Sequence, residues 1–239
     1  MSSFVQGFLD NDSFFGRLMT KIGIIIGANL MFVLCTIPFI TIGAGLAGLY
    51  HVMLRTLRGD GVVNPFKEFW IGFKNNFKQA TISWIGFVLL GAFLLYDLQI
   101  CEAAGDVLAF ARYGIYGLIV ILVISFCFLI PTMTAFQDTI PHLIRNGWYF
   151  AIHRPFASLV ILFFDIFPLV LTYTDLQNLP LYAFLWCMFG FGAIAMLGAT
   201  LLLKQFALYL PGGEEEDQVL DPRDDDEKAL DDLRMMDGL

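Results

Sequence analysis

The chain has 239 residues, of which 58% are hydrophobic and 15% charged, with a mean hydropathy of +0.72. A soluble domain carries about 25% charged residues, so this composition argues against one and for a chain that lives in a bilayer. The formal net charge of −8 is local: residues 211–239 hold twelve acids against three bases, and the body before them, with ten acids and eleven bases, is nearly neutral and has no basic surface for nucleic acid.

Several apolar runs reach the roughly 20 residues that cross a hydrocarbon core. They are continuous, whereas a transmembrane barrel would show short alternating segments. The expected fold is therefore all-α, a polytopic transmembrane helical bundle. Residues 1–20 read as an amphipathic lead-in with Phe4, Phe8, Phe14, Phe15 and Leu18 among polar residues, closed by Arg17 and, just beyond it, Lys21. They lack a basic n-region and a small-residue cleavage site, so the first apolar run is expected to stay in the membrane.

Between Ile22 and Leu54 the titratable groups are Cys35, Tyr50 and His51. One helix of that length would measure about 50 Å against a core of about 30 Å, so it must bend or turn back. Pro38 supplies the break, Thr41 a cap, and Gly43, Gly45 and Gly48 the first turns of a second helix. Two spans result, 22–38 and 41–57, in a tight hairpin where Gly43/Ala47 and Ala44/Gly48 let the two backbones approach. Arg55 and Arg58 end it at the lipid interface.

From Pro65 to Lys78, a helical wheel gathers Phe66, Phe69, Trp70, Phe73 and Phe77 on one arc and sets Lys67, Lys74 and Lys78 along its flank. This pattern predicts an amphipathic helix in the headgroup plane, with the aromatics and lysines in contact with lipid. Further spans are expected over 80–97, 113–131, 156–174 and 180–203, with a polar segment, 134–150, between the fourth and fifth.

With the N-terminus in the cytoplasm, six spans place every lysine and arginine of the body except Arg112 on the inner side, together with the C-terminus. A five-span alternative makes 41–57 re-entrant or cytoplasmic. It draws support from a weak internal repeat, Ile37-Pro38-Phe39-Ile40-Thr41 against Ile130-Pro131-Thr132-Met133-Thr134, which pairs 41–57 with the polar segment 134–150. The expected organisation is a lead-in (1–20), a transmembrane bundle (21–210) and an acidic cytoplasmic tail (211–239).

Little in the chain carries chemistry. It has no phosphate-binding glycine loop, HExxH, paired cysteines or nucleophile elbow, and His51, His142 and His153 lie far apart. No catalytic residue, cofactor or metal site is expected, and the reading is not an enzyme. Asp165 is the one carboxylate in mid-span and Asn29 a polar residue in the middle of the first span. Intramembrane polar groups serve either function or helix–helix adhesion. The candidate partners for Asp165 are Asn29, Gln137 or a hydroxyl on a neighbouring helix. In the tail, Leu230, Leu233 and Met236 form an apolar stripe amid acids, suited to docking on a basic partner.

The stretch Asn29, Ile37-Pro38-Phe39-Ile40-Thr41-Ile42-Gly43, Ala47-Gly48-Leu49-Tyr50, Leu57-Arg58-Gly59, Phe66-Lys67-Glu68-Phe69 and Phe73-Lys74-Asn75-Asn76-Phe77-Lys78 resembles the YesL-like family of uncharacterised bacterial membrane proteins. The similarity is dense over 29–85 and diffuse to about 210. Where family members often carry Pro-Ala after Thr-Ile-Gly, this chain has Ala44-Gly45. The resemblance implies a Gram-positive cell membrane and a supporting role beside carbohydrate ABC uptake systems. Two functions follow as expectations: an accessory protein that binds ABC transporter subunits or another membrane complex, or a small-solute permease using Asp165 and Asn29. A permease predicts a continuous polar line through the bundle, and an accessory protein predicts a dry, aromatic-rich interior.

Overall fold

The computed structural model describes residues 14–59, 63–105, 109–136 and 138–206. The expectations placed on residues 1–13, Gln137 and the tail stripe Leu230, Leu233 and Met236 lie outside them. The described residues are mainly helical, with no strand: α1 (Phe14–Cys35), α2 (Ile42–Arg58), α3 (Pro65–Ala103), α4 (Ala109–Ala135), α5 (Ile140–His153), α6 (Pro155–Thr174), α7 (Leu179–Leu185) and α8 (Phe191–Phe206). A π-helical turn, Trp186–Gly190, joins α7 to α8. Six segments are long and apolar enough to cross a membrane: Phe15–Cys35, Phe39–Arg58, Pro65–Ala103, Phe110–Ala135, Pro155–Thr174 and Leu176–Phe206. The chain divides into the units Met1–Leu202 and Leu203–Leu239, and of the second the described residues are the end of α8.

The lead-in expected up to residue 20 is shorter, because the helix that becomes α1 already begins at Phe14. That helix ends at Cys35, before Pro38 rather than at it. Thr41 does not cap α2 with its side chain. Its hydroxyl donates backwards, within 2.6 Å of the carbonyls of both Cys35 and Pro38, and so closes a turn that includes the short 3-10 helix Phe39–Thr41. Trp84 Nε1 donates to the Phe39 carbonyl at 2.9 Å and pins this turn to α3.

The glycine stripe of α2 meets mainly α3, not α1 as the hairpin reading expected. A Cβ on Gly43 would overlap the Ala80 carbonyl and come within 2.7 Å of Trp84 Cβ. One on Gly48 would lie 2.9 Å from the Phe69 carbonyl, and one on Gly72 would overlap His51 Cβ. Of this stripe, Gly45 faces α1, against Thr36 and Phe32. The α2–α3 pair is the most extensive helix interface of the fold. Periodicity shows which face is small, but it cannot show which neighbour fills it.

The expected interfacial helix 65–78 and the span 80–97 are one helix, α3, of 39 residues. Asn64 starts it, accepting from the N–H groups of Phe66 (3.1 Å) and Lys67 (3.3 Å), with Pro65 at the first position. Phe69 is fully buried and Phe73 nearly so, both turned inward, which removes them from the expected lipid-facing set. Phe66, Lys67, Trp70, Lys74, Phe77 and Lys78 remain exposed, and Lys74 Nζ sits 5.0 Å above the Trp70 ring.

α4 packs against α3 through Phe126, 4.4 Å between ring centroids from Phe87. The polar segment after it turns at Asp138, which accepts from the Thr139 N–H (2.6 Å) and pairs with His142 (3.1 Å). Those contacts, the Thr139 N–H foremost, hold its carboxyl below the usual range. Gln79 of α3 reaches the Asp138 carbonyl at 3.0 Å. α5 then folds back on α4, Trp148 donating to Ser125 Oγ at 2.9 Å and Gly147 lying against Phe128. At the far turn Asp175 accepts from Asn178 and Tyr182, each at 2.9 Å, and these bonds likewise lower its carboxyl.

Candidate intramembrane site

Asn29 is fully buried on α1, and the residues it meets come about 160 positions later in the chain. A π-helical turn shifts the backbone pairing by one residue and leaves donors and acceptors that the regular ladder would satisfy. The Asn29 amide nitrogen donates to the carbonyls of Trp186 (2.9 Å) and Cys187 (2.7 Å), and its oxygen accepts from the Gly192 N–H (2.8 Å). Gly192 permits the approach, since a Cβ there would come within 2.9 Å of the Ile25 carbonyl. Both amide hydrogens and the oxygen are used. Of the two roles left open by the sequence, Asn29 performs adhesion.

Beside this joint lies a cavity of about 480 Å³, bounded by α1, α2, α3, α4, α6 and the α7–α8 segment. Its wall is aromatic and aliphatic, with Phe32, Trp84, Phe126 and Trp186 presenting rings, and Asp165 is its one carboxylate. Cys127 of α4 and Tyr50 of α2 line the same wall as Asp165. Asp165 thus shares a wall with a thiol on α4, while Asn29 bonds the π turn and Gln137 lies outside the described residues. Two in-helix prolines follow in sequence, Pro131 after Cys127 on α4 and Pro168 after Asp165 on α6. Neither can donate to the carbonyl four residues earlier, that of Cys127 and that of Phe164 respectively.

A second cluster escaped the sequence reading. Glu68 is buried between α2 and α3, where Arg55 Nη1 donates to its carboxylate at 2.7 Å and His51 Nε2 lies 3.5 Å away. Arg55 is thus engaged by an acid and is not simply reaching for lipid phosphate, while Arg58 is exposed at the helix end. The signal available was the four-residue spacing of His51 and Arg55 on one face of α2. The acid across from them sits among lysines and gave no sign of burial. Among the described residues, no group of three or more His, Cys, Asp or Glu side chains is placed to hold a metal.

These features define a multi-pass helical membrane protein with an apolar cavity, marked by a carboxylate, among its described residues. Residues 25–98, the second half of α1, all of α2 and most of α3, match the model of a family described as "Protein of unknown function, DUF624". The curated proteins and the solved structures contain no match.

Proposed function

We propose that this chain is a non-enzymatic protein of the bacterial cytoplasmic membrane that acts by binding another membrane complex, in the first instance a carbohydrate ABC uptake system. The observation that carries the reading is the dryness of the bundle. Asn29 is consumed by the π turn, and the cavity wall is apolar apart from Asp165, Cys127 and Tyr50. The described residues offer no continuous polar path for a solute. α6 presents broad apolar surface, with Phe156 85% and Tyr173 81% exposed, which suits lipid and helical partners alike. The YesL-like resemblance of 29–85 supplies the sugar-uptake context.

The topology is proposed as N-terminus and C-terminus inside, with α1 and α2 entering as one hairpin. Both helices run back to the start of α3, Gly27 lying against Pro65 and Arg55 bonding Glu68, while their turn meets Trp84 halfway along it. Beyond Trp84, α3 continues through the exposed apolar residues Leu89, Leu90, Phe93 and Tyr96, which need hydrocarbon. The turn then stops about 18 Å short of Tyr96. In a cysteine-free background, Ile40→Cys should resist an impermeant maleimide added outside, while Glu102→Cys reacts. Labelling of both would mean that the hairpin crosses completely.

Affinity purification from the native membrane in mild detergent tests the function. The full chain should co-purify with transporter subunits, and a chain ending at Leu210 should lose them if the tail docks. A homo-oligomer alone in both samples would overturn the accessory reading and favour the permease, which Asp165 in its cavity keeps in view. Flux in vesicles that Asp165→Asn abolishes would establish that second reading.

A further inference from the structure

We propose that the cavity around Asp165 is a binding site for an organic ammonium ion with a compact apolar body. Its volume of about 480 Å³ lies within the range of small-molecule pockets, roughly 300–1,000 Å³. Four helical segments contribute rings to one wall: Phe32 from α1, Trp84 from α3, Phe126 from α4 and Trp186 from the π turn. Aromatic faces carry negative potential and attract cations, most strongly where water is absent. The same wall holds one carboxylate and no lysine, arginine or histidine, so the protein supplies the anion and leaves its counter-charge to a guest.

Alternative occupants fit less well. An anion would face Asp165 across an apolar space with no positive group to hold it. A sugar would leave most of its hydroxyls unpaired, because the polar atoms of the wall belong to Asp165, Cys127 and Tyr50. An ammonium with a hydrocarbon body satisfies both the carboxylate and the rings. The lining residues Leu169 and Val170 of α6 are half-exposed, which puts the opening along α6 towards the hydrocarbon. The π turn gains a role here, since it sets the Trp186 ring against Gly190 and Phe191 at the cavity wall.

The test uses the full chain in lipid nanodiscs, titrated with benzyltrimethylammonium and with its uncharged carbon isostere, neopentylbenzene. Trp84 and Trp186 serve as fluorescent reporters from within the wall. The cation should bind saturably and more tightly than the isostere. Asp165→Asn should weaken the cation by about tenfold or more, the scale of a desolvated charge contact, and leave the isostere unchanged. Ala195→Phe, which fills the cavity from α8, should abolish cation binding, and it decides the matter if Asp165→Asn does not fold. Absence of saturable binding, equal binding of the two probes, or undiminished cation binding in either folded variant would overturn the proposal. The outcome is independent of transporter association, because no partner is present in the measurement.

Discussion

Gly43→Leu is expected to prise α2 from α3 and to lower stability by about 3 kcal/mol or more, the upper end of overpacking effects. The reason is what the added atoms meet. The nearest obstacle to a Cβ at Gly43 is the Ala80 carbonyl, part of a helix backbone, followed by the Cβ of Trp84. Neither can rotate away as a side-chain tip could. The displacement would also stretch the bond from Trp84 Nε1 to the Phe39 carbonyl, which fixes the α1–α2 turn. The companion substitution Gly86→Ala has the opposite expectation. A Cβ there meets nothing within 4 Å, so it should stabilise α3 by about 0.5–1 kcal/mol through helix propensity alone. Thermal unfolding in mild detergent compares the two directly. Equal melting temperatures would show that the close approach of α2 and α3 is not a structural requirement.

The second large effect belongs to Asn29→Leu. The leucine keeps the branched shape and heavy-atom count of asparagine but makes none of its hydrogen bonds. It leaves the carbonyls of Trp186 and Cys187 and the N–H of Gly192 without their side-chain partner. Stranded buried groups cost about 1–3 kcal/mol each in water-soluble proteins, and interhelical bonds in membranes average nearer 0.6. A loss of about 3 kcal/mol lies between those limits for three groups. Ser125→Ala removes the interhelical bond from Trp148 and the hydroxyl's donation to the Ile121 carbonyl within its own helix, and should cost distinctly less. If Asn29→Leu melts with the parent, the π turn satisfies itself and Asn29 is not its fastening.

The long apolar elements were legible because burial in lipid writes itself as continuous hydropathy. α4, α6 and the α7–α8 segment fall close to where the apolar runs place them. The helix stops were read less well. Pro38 marks the break between α1 and α2, yet α1 ends at Cys35 because the turn is closed by Thr41 reaching back to the Cys35 carbonyl, a bond no propensity encodes. The wheel over 65–78 assigned all five of its aromatics to lipid, and of these Phe66, Trp70 and Phe77 are exposed. Phe69 and Phe73 instead lie in the core, since an amphipathic stripe looks the same whether hydrocarbon or another helix covers it.

The candidate site divides along the same line. Asp165 stood out as a lone carboxylate among apolar residues, which is a local property. Its neighbours did not: Cys127 and Tyr50 are ordinary members of apolar runs, and only tertiary packing brings them to one wall. The π turn had no legible signal, because Trp186–Gly190 continues the pattern of a regular helix. Glu68 drew no reading for a related reason. Its neighbours in sequence, Lys67 and Trp70, face outward while it faces Arg55.

The closed turn at Thr36–Thr41 bears on a question of parity. A pair of helices that turn back on each other adds two crossings or none, never one. On the proposed topology α1 and α2 enter as one hairpin, Gly27 lying against Pro65 and Arg55 bonding Glu68, so that α1 and α3 begin on the same side. An odd number of passes, as in the five-span alternative, would need α1 to cross without α2, whereas the bond from Trp84 and the Arg55–Glu68 pair hold the turn and α2 along α3. The sidedness of every later helix is therefore indifferent to how deeply the hairpin is immersed. Changes in its depth leave the rest of the chain facing the same way.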